Sequence, residues 1–253
     1  MKILYFTATG NSLYVAKRIG GELFSIPQMI KEGKYDFKDD SIGIVCPIYG
    51  FTPPKLVKRF LKRVEIDAKY GFVVGTYGCR YGYFGEQVTK IFKKRRINLD
   101  YVNAVKMVDT AVVGFKIKEQ LATLKEKQVD KQLDVILNDI KVNKRRFIYL
   151  KTEERKRAFI HHLLNPLSSI LNGSKTLSID EKCTKCGTCE KVCPVKAITI
   201  NDTVKISSRC ESCLACLHNC PSKAIHQKME KSGERYRNEE ITLNEIIESN
   251  NQL

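Results

Sequence analysis

Residues 183–194 read CTKCGTCEKVCP, and residues 210–221 read CESCLACLHNCP. In each run three cysteines recur at every third position, and a fourth follows just before a proline: Cys183, Cys186, Cys189 and Cys193, then Cys210, Cys213, Cys216 and Cys220. Three cysteines on one tight loop can reach three corners of a cubane, while the fourth corner must come from elsewhere in the chain. Thiolate ligands suit soft iron, and Pro194 and Pro221 turn the chain away from helix so that each fourth cysteine can cross over. Zinc is the alternative, but tetrahedral zinc needs only paired C-x-x-C ligands and leaves the third cysteine of each run idle. Ala197-Ile198 and Ala224-Ile225 recur behind the prolines and give the repeat an apolar packing layer. The chain has ten cysteines. In a secreted protein they would suggest disulfides, yet crowding most of them at ligand spacing favours thiolates kept reduced for a metal.

This spacing is that of bacterial two-cluster ferredoxins, and a crossed pattern follows from it. Cys183, Cys186, Cys189 and Cys220 are expected to hold one [4Fe–4S] cluster, and Cys210, Cys213, Cys216 and Cys193 the other. Residues 178–226 resemble the clostridial-type dicluster ferredoxin domain along their whole length, a small α+β unit. The resemblance implies low-potential, one-electron transfer. Members of that family are usually acidic, whereas this stretch is close to neutral, with Lys182, Lys185 and Lys191 around the first run. A different partner surface is implied.

Upstream, residues 1–145 alternate short apolar runs with helical patterns, as βαβ units do. Lys2–Phe6, Leu23–Pro27, Ser41–Pro47, Tyr70–Thr76 and Leu99–Val108 read as strands. Helices are predicted over Asn11–Gly21, after Pro53-Pro54 with Leu56, Val57, Phe60 and Leu61 on one face, through Val88, Ile91 and Phe92, and over Lys118–Asn143. Five strands so arranged predict an α/β domain with a doubly wound parallel sheet and a ligand at the carboxyl ends of its strands. Residues 146–177 read as a basic connector with a helix around Thr152–Leu164 and breakers at Asn165-Pro166 and Asn172-Gly173. Residues 227–253 form a polar tail in which Thr242 and Glu245 make a capping box ahead of a small docking helix.

Directly after the first strand comes Thr7-Ala8-Thr9-Gly10-Asn11-Ser12, leading into a helix. Small and hydroxyl residues at a helix N-terminus offer backbone N–H groups and the positive dipole end to a phosphate. Neither GxxxxGK[ST] nor GxGxxG is present, so a single phosphate without Mg²⁺ fits better. The run resembles the TxTGN[ST] loop of flavodoxins, and the order of elements over 1–145 is similar to the flavodoxin fold. That resemblance implies FMN, with Thr7, Ala8, Thr9, Gly10, Asn11 and Ser12 around its phosphate. It also implies ring contacts from Pro47, Tyr49 and Gly50 after the third strand and from Thr76, Tyr77 and Gly78 after the fourth. Tyr49 or Tyr77 could cover a ring face; the chain has no Trp to do so.

Two cysteines stand outside the runs. Cys46, in an apolar strand, reads as core; Cys79 reads as a small loop residue, the alternative being a reactive thiol activated by neighbouring Arg80. His161 and His162 lie in the connector, and His218 is expected to tune a cluster by hydrogen bonding rather than ligate it. The formal net charge is +16, and residues 1–150 hold about 28 Lys and Arg against about 15 Asp and Glu. Such a field favours an acidic redox partner. No nucleic-acid motif accompanies it. No apolar run approaches the length of a bilayer span and no cleavable leader is evident, so a cytoplasmic chain starting at or near Met1 is expected.

Together these features resemble flavodoxin and ferredoxin fusion proteins of anaerobes. They imply an electron conduit between two [4Fe–4S] clusters and FMN, with no catalytic acid or base. The alternatives are an FMN-dependent reductase of a small-molecule acceptor, fed by its own clusters, and a redox-sensing interaction module.

Overall fold

Ile42, Ile44, Val45 and Cys46 in one run, and Phe72, Val73 and Val74 in another, are all at most 2% exposed. Strands apolar at every position bury both faces, which is the signature of a parallel sheet covered by helices on each side. The computed structural model of the chain describes residues 1–150 and 173–253. Strands β1 (Lys2–Tyr5), β2 (Glu22–Ser25), β3 (Asp36–Pro47), β4 (Glu65–Tyr77), β5 (Tyr101–Lys106) and β6 (Arg146–Phe147) form one sheet in the order β2-β1-β3-β4-β5-β6. Every neighbouring pair is parallel. Helices α1 (Asn11–Ile19), α2 (Ile26–Glu32), α3 (Lys55–Leu61), α4 (Phe84–Arg95), α5 (Ile117–Ala122) and α6 (Val129–Lys141) make the crossovers. The order 2-1-3-4-5 of the first five strands is the flavodoxin-like one, with its switch point between β1 and β3.

Four features differ from the sequence reading. Helix α2 begins at Ile26, inside the stretch read as the strand Leu23–Pro27, because Pro27 suits the first turn of a helix. The five strands expected become six, because Arg146 and Phe147 pair with Tyr101 and Val102 and cover the outer edge of β5. Two residues inside a basic stretch carry no periodic signal, yet an open sheet edge favours such cover. Strands β3 and β4 begin earlier than their apolar runs, since Phe37 is buried opposite Ile66 and the ion pairs Lys38–Asp67 (2.6 Å) and Lys69–Asp40 (2.8 Å) extend the pairing. The long helix over Lys118–Asn143 is two helices, broken where Gln128 turns left-handed at φ 49°. The helix expected around Thr152–Leu164 lies outside the described residues.

The C-terminal unit is a repeat. Strand β7 (Leu177–Ile179) pairs antiparallel with β10 (Ile225–Gln227), and β8 (Ile198–Ile200) with β9 (Val204–Ile206). One-turn helices α7 (Thr188–Lys191) and α8 (Ala215–His218) occupy equivalent places. The backbone repeats as well: left-handed residues Lys185, Gly187 and Lys196 of the first half match Ser212, Leu214 and Lys223 of the second. The tail closes with α9 (Leu243–Asn250), capped as expected by Thr242 and Glu245. The two units share one buried cluster, in which Leu13, Val45 and Val112 pack with Val192, Leu214, Leu217, Ile241 and Ile246.

Candidate metal centres and the strand-end crevice

The two cysteine runs fold alike, and each lends its last cysteine to the other. Cys183, Cys186, Cys189 and Cys220 line one cavity, together with Ile179, Pro221 and Ile225. Cys210, Cys213 and Cys216 lie close enough to Cys193 to feel its charge. Burial pushes the Cys189 thiol up to about 11, and burial drives Cys213 and Cys216 up as well. Buried sulfur of this kind is uncomfortable as a lone thiolate and suited to a cation that compensates it. Cys193 Sγ accepts from Ala197 N at 3.2 Å, and Cys210 Sγ from Ser212 N at 3.4 Å. Cys186 Sγ and the Thr188 hydroxyl are 3.3 Å apart. Such contacts stabilise negative charge on sulfur. Cys189 also lies near Cys216, so the two sets adjoin.

The surroundings of the sets differ. Around the first, Lys182, Thr184, Lys185, Cys186 and Lys191 are exposed. The second run faces the carboxyl ends of the sheet strands. Glu211, its side chain 2% exposed, pairs with Arg59 at 2.7 Å and accepts from Leu56 N, in the first turn of α3, at 3.0 Å. Tyr49, half-buried, lies beside Cys213, and desolvation raises its phenol above the ordinary range. Cys213 and Val195 pack against the cluster of Ile44, Leu56 and Val73.

The Thr7–Ser12 loop is likewise covered. Thr7, Ala8, Thr9, Asn11 and Ser12 are each at most 8% exposed. The carbonyl of Thr7 accepts from Asn250 Nδ2 (2.9 Å), that of Ala8 from Asn219 Nδ2 (3.1 Å) and that of Thr9 from Asn238 N (2.8 Å). Asn11 Oδ1 accepts from Tyr236 Oη at 2.9 Å and from Asn238 Nδ2 at 3.2 Å. Ser12 and Thr76 share a hydroxyl–hydroxyl bond of 2.8 Å, and Gly10 N donates to Thr7 Oγ1 at 3.1 Å. Gly10 is left-handed at φ 94°, and a Cβ there would lie 2.9 Å from Cβ of Asn238 and 3.0 Å from that of Ile241. The tail therefore answers the loop's carbonyls and closes over Gly10.

The two ring loops meet each other. Tyr49 and Thr52 close a tight turn through Gly50 and Phe51, both at positive φ. A Cβ added to Gly82 would fall 2.2 Å from Cβ of Phe51. Phe51 and Gly82, at the far ends of the two ring loops, are thus in contact. Tyr77 and Gly78 instead line an open cleft of about 480 Å³ with Cys79, Lys106, Phe115 and Lys127.

His218 has both ring nitrogens engaged by backbone: Nδ1 accepts from Tyr236 N at 3.2 Å, so Nε2 donates to Thr110 O at 2.9 Å. Burial lowers its pKa to about 4. It joins second run, tail and sheet rather than bonding to sulfur, which corrects its expected tuning role. Cys46 is buried core, its thiol raised by burial, as read from its strand. Asn219, Tyr236, Asn238 and Asn250 were not singled out from sequence, since scattered polar residues carry no motif. One signal was present: at matched positions Gly187, Thr188, Glu190 and Lys191 become Leu214, Ala215, Leu217 and His218. An apolar second helix announces a buried face.

Residues 179–199 match the 4Fe-4S binding domain family. No curated protein matches the chain. Among solved structures, it is similar to the two-electron reduced flavodoxin of Megasphaera elsdenii, at 15% identity over 41% of this chain and 83% of that one, with a TM-score of 0.30. Trp repressor binding protein of Bacillus subtilis gives 14% identity over 42% and 83%, with a TM-score of 0.31. The Flv1 flavodiiron core of Synechocystis sp. PCC6803 gives 17% identity over 55% and 36%, with a TM-score of 0.32. Among the described residues no helix is long and apolar enough to cross a membrane. By strand order and family match, the chain is a flavodoxin-like domain fused to a ferredoxin-type 4Fe-4S domain.

Proposed function

We propose that this chain is a one-electron carrier with two [4Fe–4S] clusters, one held by Cys183, Cys186, Cys189 and Cys220 and the other by Cys193, Cys210, Cys213 and Cys216. The reading is carried by one observation: each run's fourth cysteine stands with the three leading cysteines of the other run. When bound, such clusters supply reversible one-electron chemistry at iron. The chain's own part is to supply thiolates, orient them with backbone N–H groups, and set a different exposure for each set. The first set opens to the surface among Lys182, Lys185 and Lys191, which suits a partner with an acidic face. The second is partly covered by the sheet domain through Arg59 and Leu56.

FMN is the flavin that the Thr7–Ser12 motif and the switch point favour, and no step is assigned to it. A second reading rests on the open cleft at Tyr77, Cys79, Phe115 and Lys127: a small anionic or aromatic acceptor, such as a quinone, could be reduced there. Both readings meet in one experiment, anaerobic purification with iron and sulfide quantified, followed by reduction and addition of a quinone. About eight iron and eight sulfide per chain, with reoxidation only by a protein acceptor, is the expected result. About four iron removes the two-cluster assignment, and turnover with the quinone alone favours the reductase.

A further inference from the structure

The crevice at the carboxyl ends of the strands is where a doubly wound domain takes its ligand. Here it is filled by protein. On the β3 and α3 side stand Glu211 and Cys213, against Arg59, Leu56 and Tyr49. At the β5 side His218 reaches Thr110. Over the β1 loop, four side chains and one backbone N–H from Asn219, Tyr236, Asn238 and Asn250 satisfy three loop carbonyls and the Asn11 amide oxygen. Buried polar groups met one by one in this manner mark a built interface rather than chance contact. Beside them Phe51 packs closely on Gly82, joining the loops after β3 and β4.

We infer that this crevice is an intramolecular socket: it seats the chain's own second cysteine run and residues 236–250 in place of a nucleotide, so that the full chain carries no flavin. Proteins of this fold use the strand ends to position a redox group against a scaffold, and the socket keeps that use while changing the group. Helix α8 is apolar for this reason, since Leu214, Ala215 and Leu217 insert toward the core shared with Leu13, Val45 and Val112. The polar tail has the complementary task of answering the carbonyls of a loop whose backbone would otherwise be buried without partners. Left-handed Gly10 allows the closest approach, where any side chain would collide with Asn238 and Ile241.

The test uses the full chain, purified anaerobically and incubated with excess FMN, then desalted. No FMN co-elutes if the socket is filled by protein, whatever the iron content; one FMN per chain overturns the inference. Hydrogen exchange on the same sample gives a second reading. Amides of residues 7–12 and 236–250 should be protected together, and rapid exchange at residues 7–12 would equally overturn it. Because iron is measured separately, a flavin-free chain with too little iron would count against the two-cluster assignment and leave the socket standing.

Discussion

The first and second cysteine runs share spacing, one-turn helices and even the same left-handed backbone positions, yet one lies at the surface and the other belongs to the core. Cys186 is exposed and Cys189 half-buried, while their counterparts Cys213 and Cys216 are half-buried and 8% exposed. Ligand spacing specifies how the loop folds around its sulfurs; the residues between the cysteines specify what the loop packs against. Thr188, Glu190 and Lys191 leave the first run open to water, whereas Ala215, Leu217 and His218 at the matched positions bury the second. Two equal ligand sets thus acquire unequal environments, which is how a protein separates cluster properties without changing ligands.

The largest effect should come from exchanging that difference directly. Leu217 is fully buried in the shared core, so Leu217→Ala should cost about 2–5 kcal/mol of stability through lost burial and the cavity left behind. Its counterpart Glu190 is partly exposed and accepts from Ile200 N at 3.1 Å; Glu190→Ala should cost about 1 kcal/mol. Thermal melts of both holo variants decide the matter, and equal losses would break the comparison.

A smaller, kinetic effect concerns metal release. Attack by an iron chelator requires access to sulfur or iron, so the set around exposed Cys186 should empty first. Iron extraction under anaerobic conditions should then be biphasic, about half fast and half slow. Arg59→Ala removes the ion pair of the buried Glu211 carboxylate, leaving the Leu56 N–H bonded to it, and should accelerate the slow phase alone. A single phase would mean that burial of the second run does not protect it.

Which of these features could be read without coordinates follows from how local their causes are. The cysteine spacing, the apolar strands and the Thr242–Glu245 capping box are each written in a few adjacent residues, and the structure has all of them. Strand β6 was missed because two residues carry no period, and the break at Gln128 because apolar spacing runs through it on both sides. The phosphate-type loop was legible as Thr7–Ser12, but its cover was not. Asn219 and Asn250 meet Ala8 and Thr7 across 211 and 243 residues of sequence, and nothing local tells an asparagine which carbonyl it will answer. Only the apolar texture of the second run pointed at a buried face, without saying against what.

The smallest predicted effect sharpens the comparison at the surface side. His226 in β10 bonds Glu230 through Nδ1 at 2.7 Å and Asp180, just beyond β7, through Nε2 at 3.1 Å. It therefore ties together the two strands beside the exposed cysteine set. Arg235 also faces it, 3.4 Å from Nδ1, and opposes its charge. The hydrogen bond to Glu230, ahead of the one to Asp180, raises its pKa above the ordinary value. A raised pKa in the folded state means that folding binds the proton, so the stabilisation is complete below the unfolded value of about 6.5 and is lost as pH rises through the folded pKa. Melting temperatures of the holo protein and of His226→Gln should differ most at and below about pH 6 and converge at higher pH. The effect should stay modest, because the ring is partly exposed and solvent screens it. His218, buried at the second run with its pKa held at about 4, is neutral across this range and adds no slope there. A difference between the proteins that does not change with pH would show that the imidazole serves as packing alone, and that the surface side is no more responsive to protons than the buried one.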